Sequence, residues 1–169
     1  MAEAWHDLRK VGLEFIDEAP RLYRLEAYVP FSADEVWRAL ADAEGWSSWF
    51  PGVEWARYAD ATREPGVGSV RQSQVGGVRY DETMLVWDVP CRWGYRIDRT
   101  TAPIARAQVE VTELEPDGDG TRVIWRLGTD PAEALEYLAD GTPFAVFLQQ
   151  LHEDAMKGLE DYLGGQLVQ

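Results

Sequence analysis

The sequence is poor in the side chains that most catalytic and metal-binding chemistry needs. It has one cysteine, Cys91, and two histidines, His6 and His152, among 169 residues. A single cysteine excludes an intrachain disulfide and fits a reducing compartment. No H-x-x-x-H or C-x-x-C spacing occurs, which argues against a metal. There is no G-x-S-x-G elbow, no phosphate loop and no G-x-G-x-x-G turn, and Gly66-Val67-Gly68 reads only as the start of a strand. No cofactor is expected. Basic residues are also scarce, with 16 Lys+Arg against 30 Asp+Glu and a net charge of −14. The arginines between Arg57 and Arg106 are scattered and form no patch. Binding to nucleic acid or to an anionic membrane is therefore disfavoured. No apolar run approaches the roughly 20 residues that span a bilayer. The first residues lack the basic start and apolar run of a signal peptide. The expected location is the cytoplasm.

What is present points to a globular domain. Apolar residues make up 46% of the chain, enough for one sizeable core. Eight tryptophans, seven tyrosines and five phenylalanines could fill that core or line an apolar pocket. Residues 3–18 place Trp5, Leu8, Val11 or Gly12, Phe15 and Ile16 on one stripe, which predicts a short amphipathic helix ending at Pro20. We divide the chain into this extension, residues 1–20, and a domain over 21–165.

The most informative stretch is Leu25–Val53. Arg21–Val29 is strand-like, and Ser32 then opens S-A-D-E, with Glu35 three residues on. That spacing predicts a capping box on a helix over Ser32–Ala41, whose buried stripe is Val36, Trp37 and Leu40. A short helix or turn over Asp42–Trp49 follows, and Pro51-Gly52 punctuates. Strands are expected at Val53–Tyr58, Ser69–Val75, Val78–Trp87, Arg92–Asp98, Ile104–Leu114 and Thr121–Leu127. Gly76-Gly77 marks a hairpin. Short links between consecutive strands imply an antiparallel meander. Asp130-Pro131 reads as a helix start, continued by Leu135 and Leu138 and stopped at Gly141. A second helix of about six turns begins at Thr142-Pro143, with Phe144, Phe147, Leu148, Leu151, Ala155, Leu159 and Tyr162 on one stripe. The class is α+β: a curved antiparallel sheet wrapped around a long C-terminal helix, with two short helices after the first strand.

These pieces resemble the START-like, or SRPBCC, superfamily with its helix-grip fold, and within it the bacterial polyketide cyclase/dehydrase group. The resemblance is carried by A-Y-V-P-F-S-A-D-E-V-W-R-A-L-A-D at 27–42 and W-S-S-W-F-P-G-V at 46–53. It continues in Y-D-E-T-M-L-V-W-D-V-P-C-R-W-G-Y at 80–95, T-E-L-E-P-D-G-D-G-T-R-V-I-W at 112–125 and the C-terminal helix. It covers about residues 21–163 and leaves the N-terminal extension outside. It implies a fold built around a cavity. The superfamily includes aromatase/cyclases, lipid and hormone binders and chaperone-ATPase activators, so the resemblance does not choose among these functions.

Strand parity suggests which residues face that cavity. On 78–87 the inner set is Val78, Tyr80, Glu82, Met84 and Val86. On 92–98 it is Trp93, Tyr95 and Ile97; on 104–111, Ala105, Ala107, Val109 and Val111; on 121–127, Val123, Trp125 and Leu127. The two alanines would leave room opposite them. Trp46 and Trp49 would close one end, and Phe144, Phe147, Leu148 and Leu151 would cover the other side. Glu82 is the candidate general acid or base, because a carboxyl on an apolar face is penalised in its charged form. Tyr80 and Tyr95 could hydrogen-bond or polarise a carbonyl or phenol. Alternatively Glu82 sits at the mouth and pairs with an arginine such as Arg71 or Arg96. His152, at the edge of the helix stripe, is expected solvated or half-buried, His6 exposed and inert, and Cys91 structural. Three functions remain open. The first is a binder of a small hydrophobic or aromatic molecule. The second is a polyketide cyclase, aromatase or dehydratase in the same cavity. The third is an interaction module with a filled core. A homodimer is allowed by the sequence.

Overall fold

The computed structural model describes residues 2–132 and 142–167. β1 is His6–Asp7, α1 Phe15–Glu18, β2 Arg21–Val29 and α2 Ala33–Ala41. A 3₁₀ turn, Glu44–Ser48, leads into β3 Val53–Tyr58, β4 Val70–Val75, β5 Val78–Asp88, β6 Arg92–Thr100, β7 Ala105–Asp117 and β8 Gly120–Pro131. α3, Phe144–Gln166, completes the described chain. The expected capping box forms: the Ser32 side chain accepts from the Glu35 amide, and the Glu35 carboxylate accepts from the Ser32 amide at 2.9 Å. Gly76 and Gly77 take φ values of 56° and 81° in the β4–β5 hairpin, a conformation that glycine adopts without a Cβ penalty.

The sheet is antiparallel, with strands in the order β2-β8-β7-β6-β5-β4-β3 and β1 added against β6. β2 pairs with β8 along its whole length, from Arg21 opposite Thr129 to Val29 opposite Thr121. The sheet curls around α3, whose buried side is Leu148, His152, Ala155, Met156, Leu159 and Leu163. This is the helix-grip arrangement expected from the sequence. α3 packs tightly at Gly158, where a Cβ would stand 2.2 Å from the Trp49 carbonyl oxygen. No helix among the described residues is long and apolar enough to cross a membrane.

Two expectations need correction. Residues 3–18 do not form one helix. β6 and β7 pair only over Arg92–Arg96 and then separate. β1 fills the opening, pairing with Arg99 and Thr100, and the next residues continue it: the Leu8 amide donates to the Asp98 carbonyl and the Arg9 amide to the Arg106 carbonyl. Backbone groups left open by the sheet thus capture the segment, and only Phe15–Glu18 is helical. Its apolar residues are used all the same, because Phe15 and Ile16 pack on Val86, Ala107, Val109 and Val111 across the convex face. His6 is exposed, on a strand rather than on the polar side of a helix. The second correction concerns Asp130-Pro131, which ends β8 instead of starting a helix, with Asp130 opposite Ala107 and Pro131 opposite Ala105. Leu135, Leu138 and Gly141 lie outside the described residues.

Candidate ligand-binding cavity

Between the concave face of the sheet and the first half of α3 lies a cavity of about 1230 Å³. Among the residues singled out from the sequence, Trp46, Tyr80, Glu82, Tyr95, Trp125, Phe144, Phe147, Leu148 and Leu151 line it. Trp49 and Trp93 line only a small chamber of about 50 Å³ behind it, together with His152 and Met156. Met84 is fully buried and reaches neither space, a departure from expectation.

The parity of β7 is reversed. Ala107, Val109 and Val111 face the convex side under Phe15 and Ile16, so the alternate residues Gln108 and Glu110 face the cavity. Ala105 packs in the main core because a register shift separates it from Ala107. β5 changes parity too: a shift between Met84 and Val86 sends Val86 to the convex cluster. A bulge inserts one residue and flips every side chain beyond it.

Glu82 is not an isolated carboxyl. It lies opposite Arg71 in the β4–β5 register, and the Arg71 Nε donates to its Oε2 at 2.6 Å, with both side chains buried. The pairing with Arg71 was one alternative from the sequence; the position at an open mouth was not realised. The guanidinium stands over three rings, 4.5 Å from the centroid of Trp46, 4.7 Å from Tyr95 and 4.9 Å from Trp93. Burial opposes its charge, but the attraction of Glu82 wins and holds Arg71 firmly protonated. The Trp46 indole N–H donates to the Leu40 carbonyl at 2.9 Å, which fixes that wall of the box to the end of α2.

A second carboxyl, Glu110, was not anticipated. Its Oε2 accepts from the Tyr95 hydroxyl at 2.7 Å and the Trp125 indole N–H at 3.1 Å, and its Oε1 accepts from Gln108 Nε2 at 2.8 Å. Burial raises the pKa of Glu110, only partly opposed by the hydrogen bonds from Tyr95 and Gln108. The hydroxyls of Tyr80 and Tyr95 hold their protons tightly. Burial, then Glu110 and Glu82, push Tyr80 up to about 12 and Tyr95 well above its ordinary value. Both phenols are therefore donors rather than bases near neutral pH. His152 is buried, not solvated, and its ring stacks on Trp125 with centroids 5.8 Å apart. Desolvation lowers its pKa to about 4, so it is neutral at pH 7. Cys91 is exposed in the β5–β6 turn. Among the described residues no cluster of His, Cys, Asp or Glu is arranged to hold a metal.

The family model for polyketide cyclase / dehydrase and lipid transport proteins matches residues 23–164. The chain belongs to this family. An uncharacterized protein of Mycobacterium tuberculosis (strain H37Rv) is 25% identical over 120 residues, which cover 70% of this chain and 71% of that protein. Among solved structures, Ara h 8.0201 superposes with a TM-score of 0.66 at 14% identity, covering 86% of this chain and 98% of that one. A START superfamily protein from Mycobacterium smegmatis gives 0.65 at 15% identity, over 86% and 98% of the two chains. DynU16, from the dynemicin biosynthetic locus, gives 0.62 at 17% identity, over 85% of this chain and 47% of its own. At these identities the neighbours establish the fold of this polyketide cyclase/dehydrase family member and nothing finer.

Proposed function

We propose that this protein binds a small, mainly apolar or aromatic molecule between the sheet and α3. The cavity itself carries the reading. At about 1230 Å³ it is larger than the roughly 300–1,000 Å³ typical of small-molecule sites, and its walls combine Trp125, Phe144, Phe147 and Leu148 with a few polar groups gathered around Glu82 and Glu110. An interaction module with a filled core would have no use for such a space. The test is native mass spectrometry of the protein from its own host, followed by a thermal-shift screen of aromatic polyketides, fatty acids and steroids. A ligand at 100 times its Kd adds about 2.7 kcal/mol to stability and a corresponding rise in Tm. No shift with any apolar compound would refute the reading.

Acid–base chemistry in the same cavity is a second reading, favoured by one observation. Glu110 is a buried carboxyl with a raised pKa, hydrogen-bonded to the Tyr95 hydroxyl at 2.7 Å. Such a pair could pass a proton to a cyclising or dehydrating substrate whose reactive chain the walls hold folded. Glu110, rather than the ion-paired Glu82, is the better candidate. With a turned-over polyketide-like substrate in hand, Glu110→Gln would abolish turnover and keep binding if this reading holds; unchanged turnover would remove it.

A further inference from the structure

Among the described residues, two cations on the cavity lining, Arg21 and Arg71, stand against two carboxyls, Glu82 and Glu110, so the charges balance. β4 and β5 turn four side chains toward the cavity as two facing pairs, Arg71 opposite Glu82 and Ser73 opposite Tyr80. The first pair is closed on itself at 2.6 Å. Arg71 Nη1 makes no hydrogen bond, but its guanidinium lies over the rings of Trp46, Trp93 and Tyr95, whose faces attract N–H groups. The second pair is open. Ser73 is 4% exposed, and its hydroxyl is buried with no hydrogen-bond partner. The Tyr80 hydroxyl makes no hydrogen bond with any described residue. Buried polar groups are nearly always paired, so two neighbouring unpaired hydroxyls on a cavity wall point to a partner that enters the cavity.

Both hydroxyls have a hydrogen to give, and Tyr80 keeps its own up to about pH 12. A ligand oxygen can accept from either. A protonated amine has no lone pair to offer them. An ionised ligand would also disturb the balanced lining: a carboxylate adds a negative charge near Glu82, and an ammonium adds a positive charge near Arg71. Either ion must also give up its water on entering. An uncharged acceptor meets neither cost. We propose that Ser73 and Tyr80 are the specificity-determining pair of the cavity. They select an uncharged ligand that presents an acceptor oxygen, such as a ketone or ester carbonyl, over hydrocarbons, carboxylates and amines of the same shape. This rests on the cavity-binding reading and names the ligand class within it.

The test is calorimetric titration of the full chain at neutral pH with a matched series: acetylnaphthalene, ethylnaphthalene, naphthoate and naphthylethylamine. The ketone should bind at least about fivefold tighter than the hydrocarbon, and at least about tenfold tighter than either ion. Ser73→Ala removes a buried hydroxyl that has no partner, so its urea midpoint should equal or exceed that of wild type. Its preference for the ketone over the hydrocarbon should fall by about fivefold. A hydroxyl with only a structural role would do the reverse, lowering the midpoint and leaving the preference intact. Tyr80→Phe should weaken the preference too, and the hydrocarbon should bind both variants within about twofold of wild type. The four-ligand comparison uses wild-type protein alone and stands even if a variant does not fold. A ketone that binds no tighter than the hydrocarbon, or more weakly than naphthoate or the amine, overturns this inference alone. So does a ketone preference left intact in either folded variant, or a lowered midpoint in Ser73→Ala. Binding of none of the four overturns the cavity-binding reading with it.

Discussion

Replacing Arg71 with methionine would strand the Glu82 carboxylate in the core. The two side chains are 3% and 5% exposed, so the lone charge gains little from water. Removing one partner of such a pair costs about 3–5 kcal/mol. The guanidinium also gives up its places over Trp46, Tyr95 and Trp93. These are worth about 0.5–2 kcal/mol each, but a methionine sulfur against the same rings returns part of that. We expect a net loss of about 4 kcal/mol, or a Tm lower by roughly 8–16 °C for a chain of this size. Glu82→Leu alone should be similarly costly. The double variant Arg71→Met/Glu82→Leu removes both charges and should lie within about 2 kcal/mol of wild type. Urea unfolding followed by far-UV circular dichroism measures all four proteins. Tryptophan fluorescence is unsuitable, because Trp46 and Trp93 touch the mutated site. A cost below about 1 kcal/mol for Arg71→Met, or a double variant as unstable as the sum of the singles, would refute the reasoning.

Two more outcomes are expected. The folded protein keeps His152 neutral down to about pH 4, while the unfolded chain protonates it near 6.5. The unfolded state then binds more protons between these values, so this contribution to stability falls as pH drops from about 6.5 to about 4, by at most about 3 kcal/mol. Glu110, with its raised pKa, has the opposite sign: it favours the folded state in acid and loses that effect as pH rises through its folded pKa. Urea midpoints from pH 4 to 7 should show a flatter acid slope in His152→Phe, and an unchanged slope would count against the assignment. Separately, Ile16→Ala should cost about 2–4 kcal/mol in urea, because Ile16 is 3% exposed over Val109 and Val111. A cost within 0.5 kcal/mol, the range typical of surface substitutions, would mean that the N-terminal segment does not stay on the convex face.

The frame of the molecule was legible because short-range chemistry decides it. Ser32 and Glu35 sit at capping distance, Gly76-Gly77 tolerates the positive φ of a tight hairpin, and the stripe from Phe144 to Tyr162 repeats every three or four residues. The inner wall was less legible because parity depends on distant parts of the chain. Ala107, Val109 and Val111 look like a cavity face, and they are buried, but under Phe15 and Ile16. Their polar alternates Gln108 and Glu110 look like solvent-facing residues and instead line the cavity. The signal that would have inverted the assignment was the apolar stripe of residues 3–18, which needs a surface to cover. The bulge between Met84 and Val86 leaves no such local mark.

The close packing at Gly158 gives α3 the geometry of a lever. The Trp49 carbonyl lies beside the helix there, in space that a Cβ would fill, about fourteen residues, or roughly 21 Å of helix, from Phe144. A tilt of about 5° around that point would carry Phe144 through about 2 Å and hardly move the residues beside Trp49. A rotation of that size would change the volume open to a guest while leaving the part of the helix beside Trp49 in place.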